Sequence, residues 1–242
     1  MRLFAFVLLP LLLVGCAPQR SAQSEEITVF AAASLSAAFD ELAADFHDAN
    51  PDIVVAPIVY DGSSTLVTQL SEGAEANVLA TADEANMGKA VAAGLAAEPQ
   101  LFASNTLVIA TPADNPAGVT SLADLADVTT ILCAPEVPCG AASQALLAKA
   151  GIEVVPASLE QNVTSVLTKV SAGEADAGLV YATDVARDDS VAWIVPDGAA
   201  DVVNRYPIVA LDGAGGAADA FIDYVLSPAG QAVLESYGFG AP

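Results

Sequence analysis

Apolar positions along the chain fall into two alternating rhythms. Short runs rich in Val, Ile, Leu and Ala occur at 27–31, 53–60, 77–80, 106–111, 129–134, 177–181, 192–195 and 206–210. Runs of that length, bounded by small or polar residues, predict buried β-strands. Between them the spacing lengthens. Leu35, Phe39, Leu42 and Phe46 recur on one face of a 3.6-residue period and predict an amphipathic helix. Helical patterns also cover 143–150, 163–172 and 219–226. Strands alternating with helices predict an α/β protein with layered, mainly parallel strand pairing.

One junction recurs: a strand, then a small or polar residue, then the start of a helix. Ser34 stands between Phe30-Ala31-Ala32-Ala33 and the Leu35/Phe39 helix, and Ser63 lies in Asp61-Gly62-Ser63-Ser64-Thr65 ahead of Leu66 and Leu70. Cys139-Gly140 opens the helix carrying Leu146 and Leu147, and Asn162 precedes Val163, Val166, Leu167 and Val170. Each place presents unpaired backbone N–H groups, and the first two add a hydroxyl. Taken singly, each reads as an N-cap. Four converging on one cleft would form an anion site that needs no Lys or Arg.

Composition narrows the partners. The 242 residues carry 7 Lys+Arg against 30 Asp+Glu, a formal charge of −23. Binding to a phosphate backbone requires a basic footprint, so nucleic acid is excluded. The 54% apolar content excludes disorder. The length accommodates one large domain or two lobes of about 100 residues.

At the N-terminus, Met1-Arg2 is followed by an apolar stretch over 3–14 that is too short to span a bilayer and suits the core of a signal peptide. Leu13-Val14-Gly15-Cys16 resembles a bacterial lipobox. This implies removal of residues 1–15, lipid on Cys16, and a mature chain exported and anchored to the cell membrane on its extracytoplasmic side. Residues 16–26 then form the lipidated cysteine and a tether. The alternative is an ordinary signal peptide with an incidental cysteine. Cys133 and Cys139, in Cys-Ala-Pro-Glu-Val-Pro-Cys, are an even pair in an oxidising compartment and read as a disulfide. A zinc site is the weaker rival, because two thiolates fall short of a four-ligand set. His47, the only histidine, is expected at the exposed end of the first helix, and Trp193 in the core.

Several fragments, taken in order, resemble the molybdate-binding proteins of ABC uptake systems. They are Ile27-Thr28-Val29-Phe30-Ala31-Ala32-Ala33-Ser34-Leu35, Gly62-Ser63-Ser64-Thr65-Leu66, Pro135-Glu136-Val137-Pro138-Cys139-Gly140 and Gly178-Leu179-Val180-Tyr181. The ending Ser227-Pro228-Ala229-Gly230 with Tyr237-Gly238-Phe239 fits as well. The resemblance implies a type II, two-lobed periplasmic-binding-protein fold, with mostly parallel mixed sheets flanked by helices and the ligand in the interlobe cleft. Residues 27–104 plus 208–242 would build lobe 1, and 105–207 lobe 2. It further implies a monomeric receptor, not an enzyme and without a cofactor or free metal cation, that takes molybdate or tungstate to the membrane subunits of an ABC permease. Ser34 and Ser63 would each give a hydroxyl and a backbone N–H, Cys139 and Val163 a backbone N–H, and Tyr181 its phenolic O–H. A lining made only of donors suits an unprotonated tetrahedral dianion, which offers only acceptors.

Three positions depart from the pattern of those relatives. Asp61 stands where they usually have a small residue, and it is expected to point outward into solvent. Pointing inward, it would repel a dianion or accept a hydrogen bond from a protonated one. Asn162-Val163-Thr164 replaces an acidic residue, Val and Arg, and Cys139 replaces a small residue. Two other functions stay open: a receptor for sulfate or phosphate, and a secreted serine hydrolase using Ser34 or Ser63. The hydrolase needs a base, and His47 is the only histidine to serve as one.

Overall fold

The computed structural model describes residues 24–242. The apolar stretch over 3–14 and Cys16 lie outside the described residues. In chain order the elements are β1 (Glu25–Ile27), β2 (Val29–Ala32), a 3-10 turn (Ala33–Leu35), α1 (Ser36–Ala49), β3 (Ile53–Val55), β4 (Val59–Asp61), α2 (Ser63–Ser71), β5 (Val78–Ala80), α3 (Glu84–Ala92) and β6 (Gln100–Pro112). There follow β7 (Thr130–Cys133), α4 (Pro138–Ala150), β8 (Ser158–Glu160), α5 (Val163–Ser171), β9 (Ala177–Tyr181), α6 (Ala182–Val185), β10 (Val191–Ile194), β11 (Val203–Ala210), α7 (Gly216–Leu226) and α8 (Pro228–Ser236). This is a mixed α/β fold, with helices packed on a central sheet.

The sheet runs β4-β2-β5-β11-β6-β9-β7-β8, with β10 added to β6, while β1 and β3 pair separately. Pairing is parallel in β4-β2-β5 and in β9-β7-β8. It is antiparallel wherever β6 or β11 takes part. These two strands join the larger apolar cores of the two halves, and a smaller third core lies around Phe30, Leu66, Leu79 and Met87. Of the larger two, the first contains Phe39, Phe46, Phe102, Tyr206 and Phe221, and the second Val108, Leu146, Val166 and Leu179. Strand β6 therefore leaves the first half of the molecule at Phe102 and enters the second by Val108. Strand β11 brings the chain back. In the first core Phe39 and Phe46 each meet Phe221 edge to face, 6.2 and 5.3 Å between ring centroids. Such pairs add about 0.5–1.5 kcal/mol each beyond burial.

The chain departs from its sequence pattern in five places, first at 27–31, where Ile27 ends β1 and Val29–Ala32 form β2 on other partners. The run over 53–60 is two strands on different partners, β3 on β1 and β4 on β2. Pro57, between them, has no N–H to continue a ladder. Strand β6 begins well before residue 106, because its first residues alternate in burial rather than forming an apolar run. Glu25 and Glu26, at the end of the expected tether, pair with Ile53 and Val54 through their backbones while their side chains stay exposed. Trp193 is not in the core; it is 49% exposed. It lies on β10, whose one ladder is with β6, and Val191 is that strand's buried residue. His47 sits in the last turn of α1 with its Nδ1 2.9 Å from the carbonyl oxygen of Ile53.

Candidate functional site

The two halves meet at a cavity of about 10 Å³, lined by Ser34, Ser63, Cys139, Val163 and Tyr181, together with Asp61, Gly62 and Asn162. All five residues singled out as donors in the sequence are brought together there. Each is delivered by an element boundary. Ser34 is in the 3-10 turn that runs into α1, and Ser63 and Val163 are the first residues of α2 and α5. Cys139 is the second residue of α4, after Pro138, and Tyr181 ends β9. First-turn N–H groups have no acceptor inside their own helix. Hence the starts of α2, α4 and α5 present partial positive charge to one point. Among the described residues, no Lys or Arg lines the cavity.

The hydroxyls are oriented by their neighbours. The backbone N–H of Ala82 donates to Ser63 Oγ at 3.0 Å, and Ser63 is 1% exposed. With that lone pair occupied, the Ser63 proton is free for the cavity. Ser34 Oγ lies 3.0 Å from the hydroxyl of Tyr206, a residue that sequence reasoning had placed only in a strand. Tyr181 Oη is buried without a hydrogen-bond partner, the one such side-chain atom among the described residues. Burial raises the pKa of this phenol well above its ordinary value, so it remains a donor. Behind it Asp184 accepts from the Tyr181 backbone N–H at 2.9 Å. Burial pushes the Asp184 carboxyl up to about 7, which reduces the negative charge beside the cavity near neutral pH.

Asp61 does not point outward; it lines the cavity. Its Oδ1 accepts from the backbone N–H of Gly62 at 2.7 Å and from Asn162 Nδ2 at 3.0 Å. The second of these bonds links the two halves. Asn162 serves both sides, because its Oδ1 also caps α5 by accepting from the Ser165 N–H at 2.9 Å. Gly62 makes the approach possible. A Cβ there would fall well inside the van der Waals surface of the Gln161 carbonyl oxygen, across the cleft.

Cys133 and Cys139 form a disulfide with Cα atoms 5.7 Å apart, tying the end of β7 to the first turn of α4. Closure of so short a loop contributes about 2 kcal/mol on a chain-entropy basis. Its local effect is to hold the Cys139 N–H. Gly140 has no room for a Cβ against the Ala134 carbonyl, so the loop is tightly folded.

The arrangement suits binding and lacks the parts for hydrolysis. His47 is at the far end of α1, about 20 Å from Ser34 at 1.5 Å per residue, and does not line the cavity. Among the described residues, no group of three or more His, Cys, Asp or Glu could hold a metal ion.

A family model described as bacterial extracellular solute-binding protein matches residues 27–240. The molybdate-binding protein ModA of Mycobacterium tuberculosis (strain ATCC 25618 / H37Rv) is 42% identical over 231 residues, which cover 93% of this chain and 87% of the relative. ModA of Escherichia coli (strain K12) is 30% identical over 237 residues, 90% of each chain. Among solved structures, the periplasmic molybdate-binding protein of Azotobacter vinelandii superposes with a TM-score of 0.75 at 19% identity, covering 89% of this chain and 99% of that one. The sulfate-binding protein SubI of M. tuberculosis H37Rv gives 0.76 at 15% identity, covering 89% and 86%. At these identities the structural matches establish the fold.

Proposed function

The chain belongs to the bacterial extracellular solute-binding protein family, and on that premise we propose that it is a non-enzymatic receptor that captures molybdate, and tungstate with it, for an ABC permease. The observation that carries the ligand is the set of donors Ser34, Ser63, Cys139, Val163 and Tyr181 around one cavity, with no cationic side chain among its described lining residues. A tetrahedral dianion satisfies such donors with its four oxygens. Monohydrogen phosphate brings a proton that needs an acceptor. The one carboxylate in the wall, Asp61, uses Oδ1 for Gly62 and Asn162; its Oδ2 is the one side-chain acceptor a protonated anion would meet there, so titration with phosphate is the control that decides between the two ligands.

In this reading the two halves are lobes that close on the anion. Closure excludes water and strengthens each donor bond in the lower dielectric. The closed surface is what the permease recognises, and lipid on Cys16 keeps the receptor at the membrane. Calorimetric titration is expected to show one molybdate, or one tungstate, bound per chain, with no heat from phosphate. Heat from another solute and none from molybdate would sink the assignment.

Reduction of Cys133–Cys139 releases the Cys139 turn. Stopped-flow release of molybdate is then expected to speed up several-fold after reductant treatment. Identical release rates would show that the crosslink does not hold the donor.

A further inference from the structure

The Ser34 hydroxyl could serve an anion as donor or as acceptor, and its surroundings choose between the two. Tyr206 is 0% exposed, and two groups lie within hydrogen-bond distance of its hydroxyl: Ser34 Oγ at 3.0 Å and Asn105 Nδ2 at 3.4 Å. Asn105 Nδ2 can only donate. Its orientation is fixed by its other contacts, since Asn105 Oδ1 accepts from the Thr106 N–H at 3.0 Å and Nδ2 also donates to Thr183 Oγ1 at 2.8 Å. Of these two groups only Ser34 Oγ can take the Tyr206 proton; the Tyr181 hydroxyl also neighbours Tyr206 but makes no hydrogen bond of good geometry with it. A buried phenol that failed to donate would leave an unsatisfied polar group, which favours this direction. With Tyr206 donating to it, Ser34 has its own proton left for the cavity.

We propose that Asn105 and Tyr206 are positioning residues that make Ser34 an obligate donor and so select oxyanions without a proton over those that carry one. Burial supports the direction, raising the Tyr206 pKa and keeping the phenol protonated throughout the working pH range. Ser63 receives the same treatment from the Ala82 N–H. Both serines are thus polarised from behind by a buried donor. The proposal rests on the oxyanion-receptor reading and adds to it the origin of its selectivity.

The test is a set of calorimetric titrations of wild type, Tyr206→Phe, Ser34→Ala and the double variant with sodium molybdate, sodium sulfate and inorganic phosphate. Wild type alone tests the receptor reading, since absence of molybdate binding there defeats that reading whatever the variants do. Phenylalanine retains the ring packed between Phe102, Tyr181 and Phe239 and removes only the hydroxyl. In Tyr206→Phe the molybdate and sulfate affinities are expected to fall together by about tenfold, as expected for loss of one oriented hydrogen bond, while phosphate, silent with wild type, begins to give measurable heat. In the Ser34→Ala background, Tyr206→Phe should have no further effect. Continued silence of phosphate with Tyr206→Phe, or additive losses in the double variant, would show that Tyr206 is merely structural and would overturn the proposal. A thermal melt of each unliganded variant confirms that the titrated chain is folded.

Discussion

Gly62→Ala is expected to remove nearly all oxyanion affinity from a chain that still folds. Gly62 has φ −60° and ψ 137°, a backbone conformation alanine adopts freely. All three nearest neighbours of an added Cβ are across the cleft: the carbonyl oxygen and carbon of Gln161 and a methyl of Val137. Within its own half the methyl has room. The overlap arises only when the halves come together, and backbone at Gln161 cannot swing aside as a long side chain would. The halves must then stop short of contact, pulling the Val163 and Cys139 donors away from those of Ser34 and Ser63. Two charge-assisted hydrogen bonds lengthened beyond use would cost about 3–6 kcal/mol, roughly a hundredfold or more in affinity. Titration with molybdate measures the loss, and the melting temperature of the unliganded variant should stay within a few degrees of wild type. Unchanged affinity would mean that the bound state does not bring Gly62 against Gln161.

Ser63→Ala should be the most costly loss of a single hydroxyl. The side chain donates into the cavity and at the same time accepts the Ala82 N–H, which is buried. Alanine removes the bond to the anion, about 1.5–3 kcal/mol, and orphans the amide, about 1–3 kcal/mol of folding stability. Affinity should fall by about ten- to a hundredfold, and the midpoint of denaturant unfolding should drop in the absence of ligand. A threonine at this position keeps the oxygen and should recover part of both effects. Binding close to that of wild type in Ser63→Ala would remove Ser63 from the set of donors.

Much of the architecture could be read in the sequence because it rests on local signals. Apolar runs marked the strands, and the 3.6-residue spacing of Leu35, Phe39, Leu42 and Phe46 marked α1. The paired cysteines sit six positions apart and form their crosslink. The junctions at Ser34, Ser63, Cys139 and Asn162 are also local, which is why they could be named before they were seen to face one cavity. Contacts between distant segments left no such trace. Ser34 and Tyr206 are 172 positions apart, and Asp61 and Asn162 are 101 apart. Nothing near Asp61 announces that its carboxylate is satisfied by an amide from the other half. Trp193 misled for a related reason. Its β-rich run marked a strand, but whether a strand is central or at an edge depends on pairing, and pairing is not local.

The route of the chain, out along β6 and back along β11, also orders the assembly of the molecule in time. The fully buried members of the second core all lie between Leu107 and Val191, with Ile194 and Val202 packed against them. The first core needs Tyr206, Phe221 and Phe239 to cover Phe39 and Phe46. A chain delivered from its N-terminus therefore makes the first half of one core, then all of the other, and only then the strand and helices that close the first. The middle segment can mature as a unit while the opening segment waits with its aromatic residues uncovered. Aggregation during biogenesis should accordingly trace to residues 27–103, and chains truncated before α7 should depend most on holding chaperones.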